Sequence, residues 1–254
     1  MTKDKSNFKF SPLYFYKSVL IVLFFIAQTK AQTVDEIIAK NLAARGGVAK
    51  INGIMTQRLT GDISFGSDSA KPFMVEMKRP GKMRDEIMIN GVKIINTTDG
   101  KSGWVLNPLS GSDSARPMNS DELKNAFGSA EIGGPLVNYK SKGNKITYPG
   151  KEKINDNEAY KLIITMKDGD VRDDFIDCKT FLEVKWVGNI LSHGKKVKVE
   201  TYFNNYKKID GLMYAFLLDS DTPGTSYKQQ ILIKKIEVNI PIDNSMFGKL
   251  VNIK

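Results

Sequence analysis

The sequence predicts a mainly β fold of the α+β class, in which roughly eleven strands form a curved antiparallel sheet covered by a few helices. Three observations support this prediction. Apolar residues recur with a period of two over most of the chain after residue 54. Tight-turn dipeptides separate these runs. Two helical stretches, each with one apolar face, lie before and within the strand series.

The clearest strands lie in residues 73–107, where consecutive runs share an apolar face. Phe73, Val75 and Met77 point to one side because side chains alternate along a strand. Pro-Gly, Asn-Gly and Asp-Gly dipeptides separate the runs and are typical of tight turns. Together with a long strand over residues 54–65, this stretch predicts one inner apolar face, formed by Leu59, Ile63, Phe65, Phe73, Val75, Met77, Met83, Ile87, Ile89, Trp104 and Leu106.

Two amphipathic helices are predicted outside the strands. Thr33 and Glu36 have the spacing of a capping box that begins the first helix, and Ser120 begins the second. Each helix needs a partner surface for its apolar stripe. These stripes are either ordinary core or the inner side of a lid across the open sheet. The stripe residues are Ile37, Ile38 and Leu42 in the first helix and Leu123 and Phe127 in the second.

Arg79 departs from the apolar pattern of its strand. It is in phase with Val75 and Met77 and therefore points toward the apolar side. A guanidinium group in that position must find hydrogen-bond acceptors or remain at the rim. Two interpretations stay open: the arginine extends from the strand end to water, or it hydrogen-bonds an element that covers the sheet.

Residues 1–31 predict a secretory signal peptide, and residues 32–254 predict a single mature domain. Lysines precede the ten-residue apolar core Ser18–Ala27, and small residues at Thr29 and Ala31 fit cleavage after Ala31. That core is short for a membrane-spanning helix, and an uncleaved anchor is the alternative. Cys178 is the single cysteine, so there is neither an internal disulfide nor a lipid-attachment cysteine after the signal. This combination favours the bacterial periplasm.

The chain is basic, but its charge does not indicate a nucleic-acid partner. The net charge of +10 falls to about +6 without residues 1–31, which carry five lysines and one aspartate. The remaining lysines cluster in strand-like segments, where they promote solubility on a solvent face. Attraction to anionic lipid headgroups is the alternative. An exported chain without a recognisable binding module is not expected to bind nucleic acid.

The sequence contains no evident catalytic constellation. With one histidine, His193, and one cysteine, a zinc cluster of these ligands is excluded, and a Cys-His nucleophile would rest on a single pairing. The acidic run from Asp168 to Asp177 lacks the ligand order of an EF-hand and begins as a hairpin turn. No phosphate-binding glycine loop or nucleophile elbow occurs. We therefore expect a non-enzymatic protein that binds a hydrophobic ligand without a metal or cofactor.

Several short motifs resemble the bacterial LolA/LolB family of lipoprotein carriers. Lys78-Arg79-Pro80, Asp99-Gly100-Lys101, Trp104 and Asn107-Pro108 occur in the family's order and with similar spacing. Further motifs resemble Bacteroidetes-type relatives: 44–47 (ARGG), 177–182 (DCKTFL), 206–211 (YKKIDG) and 238–247 (VNIP followed by Phe247). The resemblance spans most of residues 33–250. The chain is longer than the family pattern between its first strands and through residues 108–160, and its apolar face is richer in Met and Ile than in aromatic residues.

The resemblance implies a half-open antiparallel barrel around an apolar cavity, with helices as a lid. The inner apolar face would then bind acyl chains, and Arg79 would hydrogen-bond the lid helices and hold the empty cavity closed. The implied function is a monomeric periplasmic chaperone that carries acylated lipoproteins or lipids toward the outer membrane. Its implied partners are the acylated cargo, an inner-membrane release complex and an outer-membrane acceptor.

Two other functions remain open from the residues themselves. The same cavity could serve an envelope sensor that regulates a protein partner. A secreted hydrolase centred on Asp170 and Asp173 of the acidic run is the other alternative.

Overall fold

Residues 32–250 are described by a computed structural model, so the predicted signal peptide and its cleavage site lie outside the described residues. These residues form one antiparallel sheet of 13 strands. The strands are β1 Thr56–Phe65, β2 Lys71–Lys78, β3 Lys82–Ile89, β4 Val92–Thr98, β5 Gly103–Leu106, β6 Arg116–Pro117, β7 Lys145–Ile154, β8 Asn157–Thr165, β9 Val171–Asp177, β10 Glu183–Ser192, β11 Lys195–Ile209, β12 Leu212–Asp221 and β13 Lys228–Val238.

Four α-helices accompany the sheet: α1 Val34–Ala44, α2 Val48–Asn52, α3 Ser120–Ser129 and α4 Tyr139–Lys142. Helix α1 begins with the predicted capping box, in which Thr33 accepts from the Glu36 N–H and Glu36 accepts from the Thr33 N–H. The mainly β prediction is confirmed, but the strand number differs. One addition is β6, in a stretch that the sequence predicts to be a loop, because two residues are too few to show periodicity.

The strand order shows how the two halves of the chain meet. The order across the sheet is β6-β5-β4-β3-β2-β1-β13-β12-β11-β10-β9-β8-β7. Every strand except β1 and β13 pairs only with sequence neighbours, and the β1–β13 pairing joins the two halves. Strands β6 and β7 form the two edges, so the sheet does not close.

One face of the sheet can be followed from strand to strand by the pairing register. Leu162 lies opposite Asp174, Asp174 opposite Trp186, and Trp186 opposite Thr201. The same row continues through Ser220 and Gln229 to Phe65 of β1. Side chains directly opposite one another in an antiparallel pair share a face. We call this face, which also carries Leu59, Val75 and Met83, the inner face.

The helices, residues 53–55 after α2 and the segment that joins α3 to α4 cover part of the inner face, and we call them the helical cover. Ile37 and Ile38 of α1 pack with Leu162, Ile164 and Ile176. The other contacts of the helical cover with the inner face involve Ile51, Ile54, Ala126, Ala130, Ile132 and Val137. The core therefore lies between the sheet and the helical cover.

Helix α3 shows that the sheet is strongly curved. It contacts β3 and β4 and also β10, which is seven places from β4 in the strand order. Seven strand spacings would cover about 34 Å in a flat sheet, whereas a ten-residue helix is about 15 Å long. One short helix can reach both sides only if the sheet curves toward it. The predicted half-open antiparallel barrel with covering helices is confirmed.

The opposite, outer face of β2–β4 is covered by residues 240–250, which we call the C-terminal segment. The Lys78 ammonium donates to the Ile242 carbonyl at 2.8 Å, and the Thr97 hydroxyl donates to the Gly248 carbonyl at 3.2 Å. Phe247 lies in a 3₁₀ turn, Asn244–Phe247, that contacts β3 and β4, and its side chain is fully buried. The C-terminal segment therefore gives this part of the sheet a second core layer.

We predict that Phe247→Ala lowers the free energy of unfolding by about 3–5 kcal/mol, because it leaves a cavity under the C-terminal segment. Leu232→Ala is the matched control, since Leu232 is 42% exposed on the same face, and it should cost less than about 1 kcal/mol. Urea unfolding of both variants measures the difference. Equal losses for the two variants would show that Phe247 contributes no more than a surface residue.

Candidate functional site

The candidate site is the part of the inner face that the helical cover leaves half-buried. At one end of the sheet, the register places Phe203 opposite Leu218, Leu218 opposite Ile231, and Ile231 opposite Ile63. Leu59 and Phe73 pack in the same apolar cluster. This apolar surface therefore runs continuously across the β1–β13 junction between the two halves of the chain.

Nine of the predicted face residues lie on the inner face. They are Leu59, Ile63, Phe65, Phe73, Val75, Met77, Met83, Ile87 and Ile89. Most of them are half-buried, whereas Ile63 and Met83 are buried. Sequence analysis did not include Phe203, Leu218 and Ile231, although each lies in an alternating run. Their contribution depends on the β1–β13 pairing, which no local pattern reveals.

Trp104 and Leu106 do not share this face. Thr98 pairs with Gly103, so Gly103 and Val105 take the inner positions of β5. Trp104 lies opposite Thr97 and Leu106 opposite Ile95, on the outer face that the C-terminal segment covers. The length of the β4–β5 turn sets this phase, and a shift of one residue moves every side chain of a strand to the other face.

Arg79 joins the end of β2 to two parts of the helical cover. Its Nε donates to the Ile54 carbonyl at 2.8 Å. Its Nη2 donates to the Ile132 carbonyl at 2.8 Å and to the Ile51 carbonyl at 3.3 Å. The guanidinium thus bonds one carbonyl in the last turn of α2 and two carbonyls that follow α2 and α3, where helix ends leave acceptors without intrahelical partners. In the structure, Arg79 hydrogen-bonds elements that cover the sheet instead of extending to water.

A second arginine, which sequence analysis did not identify as part of the site, bonds the same turn. The Arg45 Nη2 donates to the Gly133 carbonyl at 2.9 Å, next to the Ile132 carbonyl that Arg79 bonds. Gly133 has φ +101°, which disfavours residues with a side chain, and an added Cβ would lie 3.0 Å from Ile51. The glycine allows this turn to present consecutive carbonyls to two arginines.

The space beneath this turn is nearly filled. A cavity of about 50 Å³ lies between Arg45, Gln57, Ile132 and Tyr214. Burial raises the pKa of Tyr214 to about 12. The volume is far below the several hundred Å³ of a drug-sized ligand site. This space is therefore too small for an acyl chain unless the helical cover moves.

Helix α3 bridges the two sides of the curved sheet through different kinds of contact. Toward β3, Ala126 and Ala130 pack against Met83. Toward β10, the Asn125 side chain accepts from the Leu191 N–H at 3.0 Å and donates to the Leu191 carbonyl at 2.8 Å. The Asp121 carboxylate also accepts from the Gly194 N–H at 2.6 Å. One side of α3 is thus apolar and the other is polar.

The predicted lid residues occupy different environments. Ile37 and Ile38 are buried against the inner face, and Leu42 packs at the junction of two core clusters. Leu123 lies over Gly103, where an added Cβ would approach its Cδ1 to 3.1 Å. Phe127, by contrast, is 39% exposed and does not contribute to the buried core. Ala126 of α3 and Ala130, which caps the C-terminus of the helix, pack on β3. Because their side chains are small, the apolar stripe of this helix is hard to recognise in the sequence.

The inner face also carries polar groups that sequence analysis did not place there. Asp85 lies between Val75 and Asn96 in the register, and the Asn96 Nδ2 donates to its Oδ1 at 2.8 Å. Burial raises the pKa of Asp85 to about 6, although the Asn96 hydrogen bond opposes this shift. In the sequence, only the spacing of Asp85 from Met83 and Ile87 indicates that it lies on the inner face.

A second polar group lies on the inner face of β9 and β10. Arg172 donates to the Asp174 carboxylate at 3.0 Å and to the Glu183 carboxylate at 2.8 Å, and its guanidinium lies 5.2 Å from the Trp186 ring centre. Burial and the nearby Asp174 raise the pKa of Glu183 to about 8. These groups satisfy one another, which is typical of a structural ion-pair network.

The acidic run does not converge on one point. Lys124 bonds Asp168 at 3.3 Å and also contacts Asp170, whereas Lys161 bonds Asp173 at 3.1 Å. Asp174 pairs with Arg172 on the inner face. Within residues 32–250, no group of three or more His, Cys, Asp or Glu side chains is arranged to hold a metal ion.

No protein-family model matches the chain, and no curated protein sequence matches it significantly. Solved structures do share its fold. A LolA superfamily protein from Nitrosomonas europaea superposes with a TM-score of 0.60 at 14% identity, covering 86% of this chain and 99% of that one. A Desulfovibrio piger protein from a family of unknown function gives a TM-score of 0.57 at 14% identity, covering 86% and 98%.

A third structure comes from Vibrio parahaemolyticus and is assigned as an outer membrane lipoprotein-sorting protein domain. Its TM-score is 0.56 at 14% identity, and the match covers 84% of this chain and 95% of that one. In the part of the chain that the structure describes, no helix is long and apolar enough to cross a membrane. The similarity extends over nearly the whole length of each relative, so the chain has a LolA-like fold.

Proposed function

We propose that the protein is a non-enzymatic periplasmic carrier that holds acyl chains of lipoproteins or lipids on its inner face for transfer toward the outer membrane. The observation that carries this proposal is the continuous half-buried apolar surface around Phe73, Leu218 and Ile231, beside a helical cover that Arg79 bonds. The LolA-like fold supports it, since one structural relative is assigned to lipoprotein sorting.

The energetics of this surface suit an acyl ligand. Each methylene that leaves water contributes about 0.8 kcal/mol, so one chain supplies substantial binding energy before ordering costs are subtracted. Release then requires an acceptor that binds the acyl chains at least as well. An inner-membrane release complex and an outer-membrane acceptor are accordingly the proposed partners of a monomeric carrier.

Export is part of the same proposal. The predicted signal peptide over residues 1–31 would deliver the mature chain to the periplasm, and the lack of a cysteine after it fits a soluble carrier better than an anchored receptor. The relationship to Bacteroidetes-type proteins, which rests on short sequence motifs, remains a prediction.

We predict that the mature protein, purified from a periplasm, retains acylated lipid or lipoprotein and binds a fluorescent fatty-acyl probe. Native mass spectrometry with lipid extraction measures the first, and probe titration measures the second. Ile87→Glu should weaken probe binding at least about tenfold, because it places a charge on the apolar inner face. Leu232→Glu, on the exposed outer face, is the matched control and should bind as the wild type does.

If the purified protein carries no lipid and binds no probe, the inner face is a packed core and the carrier proposal fails. A stable protein partner recovered with such a lipid-free protein would instead favour the envelope sensor.

We predict that Arg79→Leu loosens the helical cover and changes the rate of ligand exchange. The substitution removes the donor of the Ile54 and Ile132 carbonyls and one of the donors of the Ile51 carbonyl, which should cost about 2–3 kcal/mol of stability. Amide hydrogen exchange should rise around residues 48–54 and 130–137, while the strands stay protected. Stopped-flow displacement of the acyl probe measures the exchange rate.

Arg79→Lys is the control for charge at this position. A lysine keeps the positive charge but lacks the planar set of donors that reaches three carbonyls, so it should restore only part of the protection. Unchanged amide exchange and unchanged probe release in Arg79→Leu would show that Arg79 does not hold the helical cover closed. The carrier proposal would still stand.

A further inference from the structure

Asp85 occupies an unusual position on the inner face. Its neighbours along β3 on that face are Met83 and Ile87, and across β2 it faces Val75. It is the only acidic residue on the inner face of β1–β5, strands that all lie within the described residues. A single carboxyl group thus lies on an otherwise mostly apolar surface, next to the residues of β3 that α3 contacts.

The carboxyl group of Asp85 has only part of the bonding that an ionised group in such a place requires. Asn96 donates to Oδ1 at 2.8 Å, and within residues 32–250 no side chain or backbone N–H of another residue donates to Oδ2. The side chain is half-buried and lies on the inner face. Burial raises its pKa, because the apolar surroundings disfavour the charge.

The outer face shows how this chain satisfies a carboxylate for structural purposes. Glu86, the next residue, bonds the Arg84 guanidinium and, at 2.8 Å, the Lys93 ammonium. Two cations thus pair with a carboxylate that lies one position from Asp85 and on the opposite face. Asp85 has a neutral amide as its only side-chain partner. Asp85 therefore has less charge compensation than Glu86, although it lies on the mostly apolar face.

We propose that Asp85, oriented by Asn96, binds a hydrogen-bond donor on the ligand: a hydroxyl, an amide N–H or an ammonium group next to the acyl chains. This inference rests on the proposed carrier function and names the ligand class more closely. It also implies selection against free fatty acids, because their carboxylate would face Asp85. Acylated molecules with a donor near the chain would therefore be the preferred cargo.

The test compares amphiphiles of one chain length that differ only in their head: a fatty amine, a fatty alcohol, a primary fatty amide and a fatty acid. Each displaces the fluorescent acyl probe at pH 7.5, below its micelle concentration, from wild-type protein and from Asp85→Asn. The wild type should bind the amine and the alcohol at least about tenfold more tightly than the acid. Non-specific attraction works in the opposite direction, since the chain is net positive and would favour the acid.

Asp85→Asn should reduce the preference for the amine over the acid to less than about threefold, while the affinity for the acid rises. The matched control is Asp62→Asn, because Asp62 lies on the outer face of β1, where it pairs with Lys234. Asp62→Asn should keep the wild-type order of affinities. Thermal unfolding of both variants checks that they fold.

The outcomes separate the two proposals. If the amphiphiles bind but their order does not depend on the head, or if Asp85→Asn preserves the wild-type order, the inference about Asp85 is overturned and the carrier function stands. If no amphiphile displaces the probe from either protein, both the carrier function and this inference are overturned.

Discussion

One guanidinium group at the end of β2 hydrogen-bonds part of the helical cover. Arg79 bonds the carbonyls of Ile51, Ile54 and Ile132, which come from two separate parts of the helical cover. Backbone carbonyls at helix ends need partners, and the inner face offers mostly apolar side chains. Arginine suits this place because its donors form a rigid planar fork that reaches several acceptors at once. These bonds join α2 and the turn after α3 to the end of β2, and the adjacent bond of Arg45 to Gly133 joins the end of α1 to the same turn.

The inner face has its shape because distant segments of the chain pair. Strands β1 and β13 are adjacent in the sheet although almost the whole chain separates them, and this pairing makes one apolar surface from two halves. Helix α3 then contacts both β3 and β10, which is possible only because the sheet curves. A continuous half-buried apolar surface of this kind is what the proposed carrier role requires.

Local alternation predicts most of the strands and the inner position of Arg79, because a period of two needs no knowledge of partners. It failed for Trp104 and Leu106, since the turn before β5 decides which residues face inward. It could not show that Phe203 and Ile231 join the site, because their place depends on long-range pairing. Asp85 has the same phase as Met83 in the sequence, so alternation places it on the inner face. A search for apolar residues at these positions does not select a carboxyl group. Phe127 shows that a helical stripe does not fix how the helix is rotated against the sheet.

The contacts of α3 indicate how a carrier of this design could release its cargo. The helix packs on β3 through Ala126 and Ala130, whose side chains bury little apolar area, and it meets β10 through polar groups such as Asn125. Water can replace the polar contacts at a net cost of about 1 kcal/mol each, whereas an acyl chain contributes about 0.8 kcal/mol for every methylene it buries. In the proposed carrier, a few buried methylenes would therefore offset the polar contacts that α3 loses on opening. The acceptor would then set the direction of transfer, because a cover that opens at low cost favours neither loading nor release.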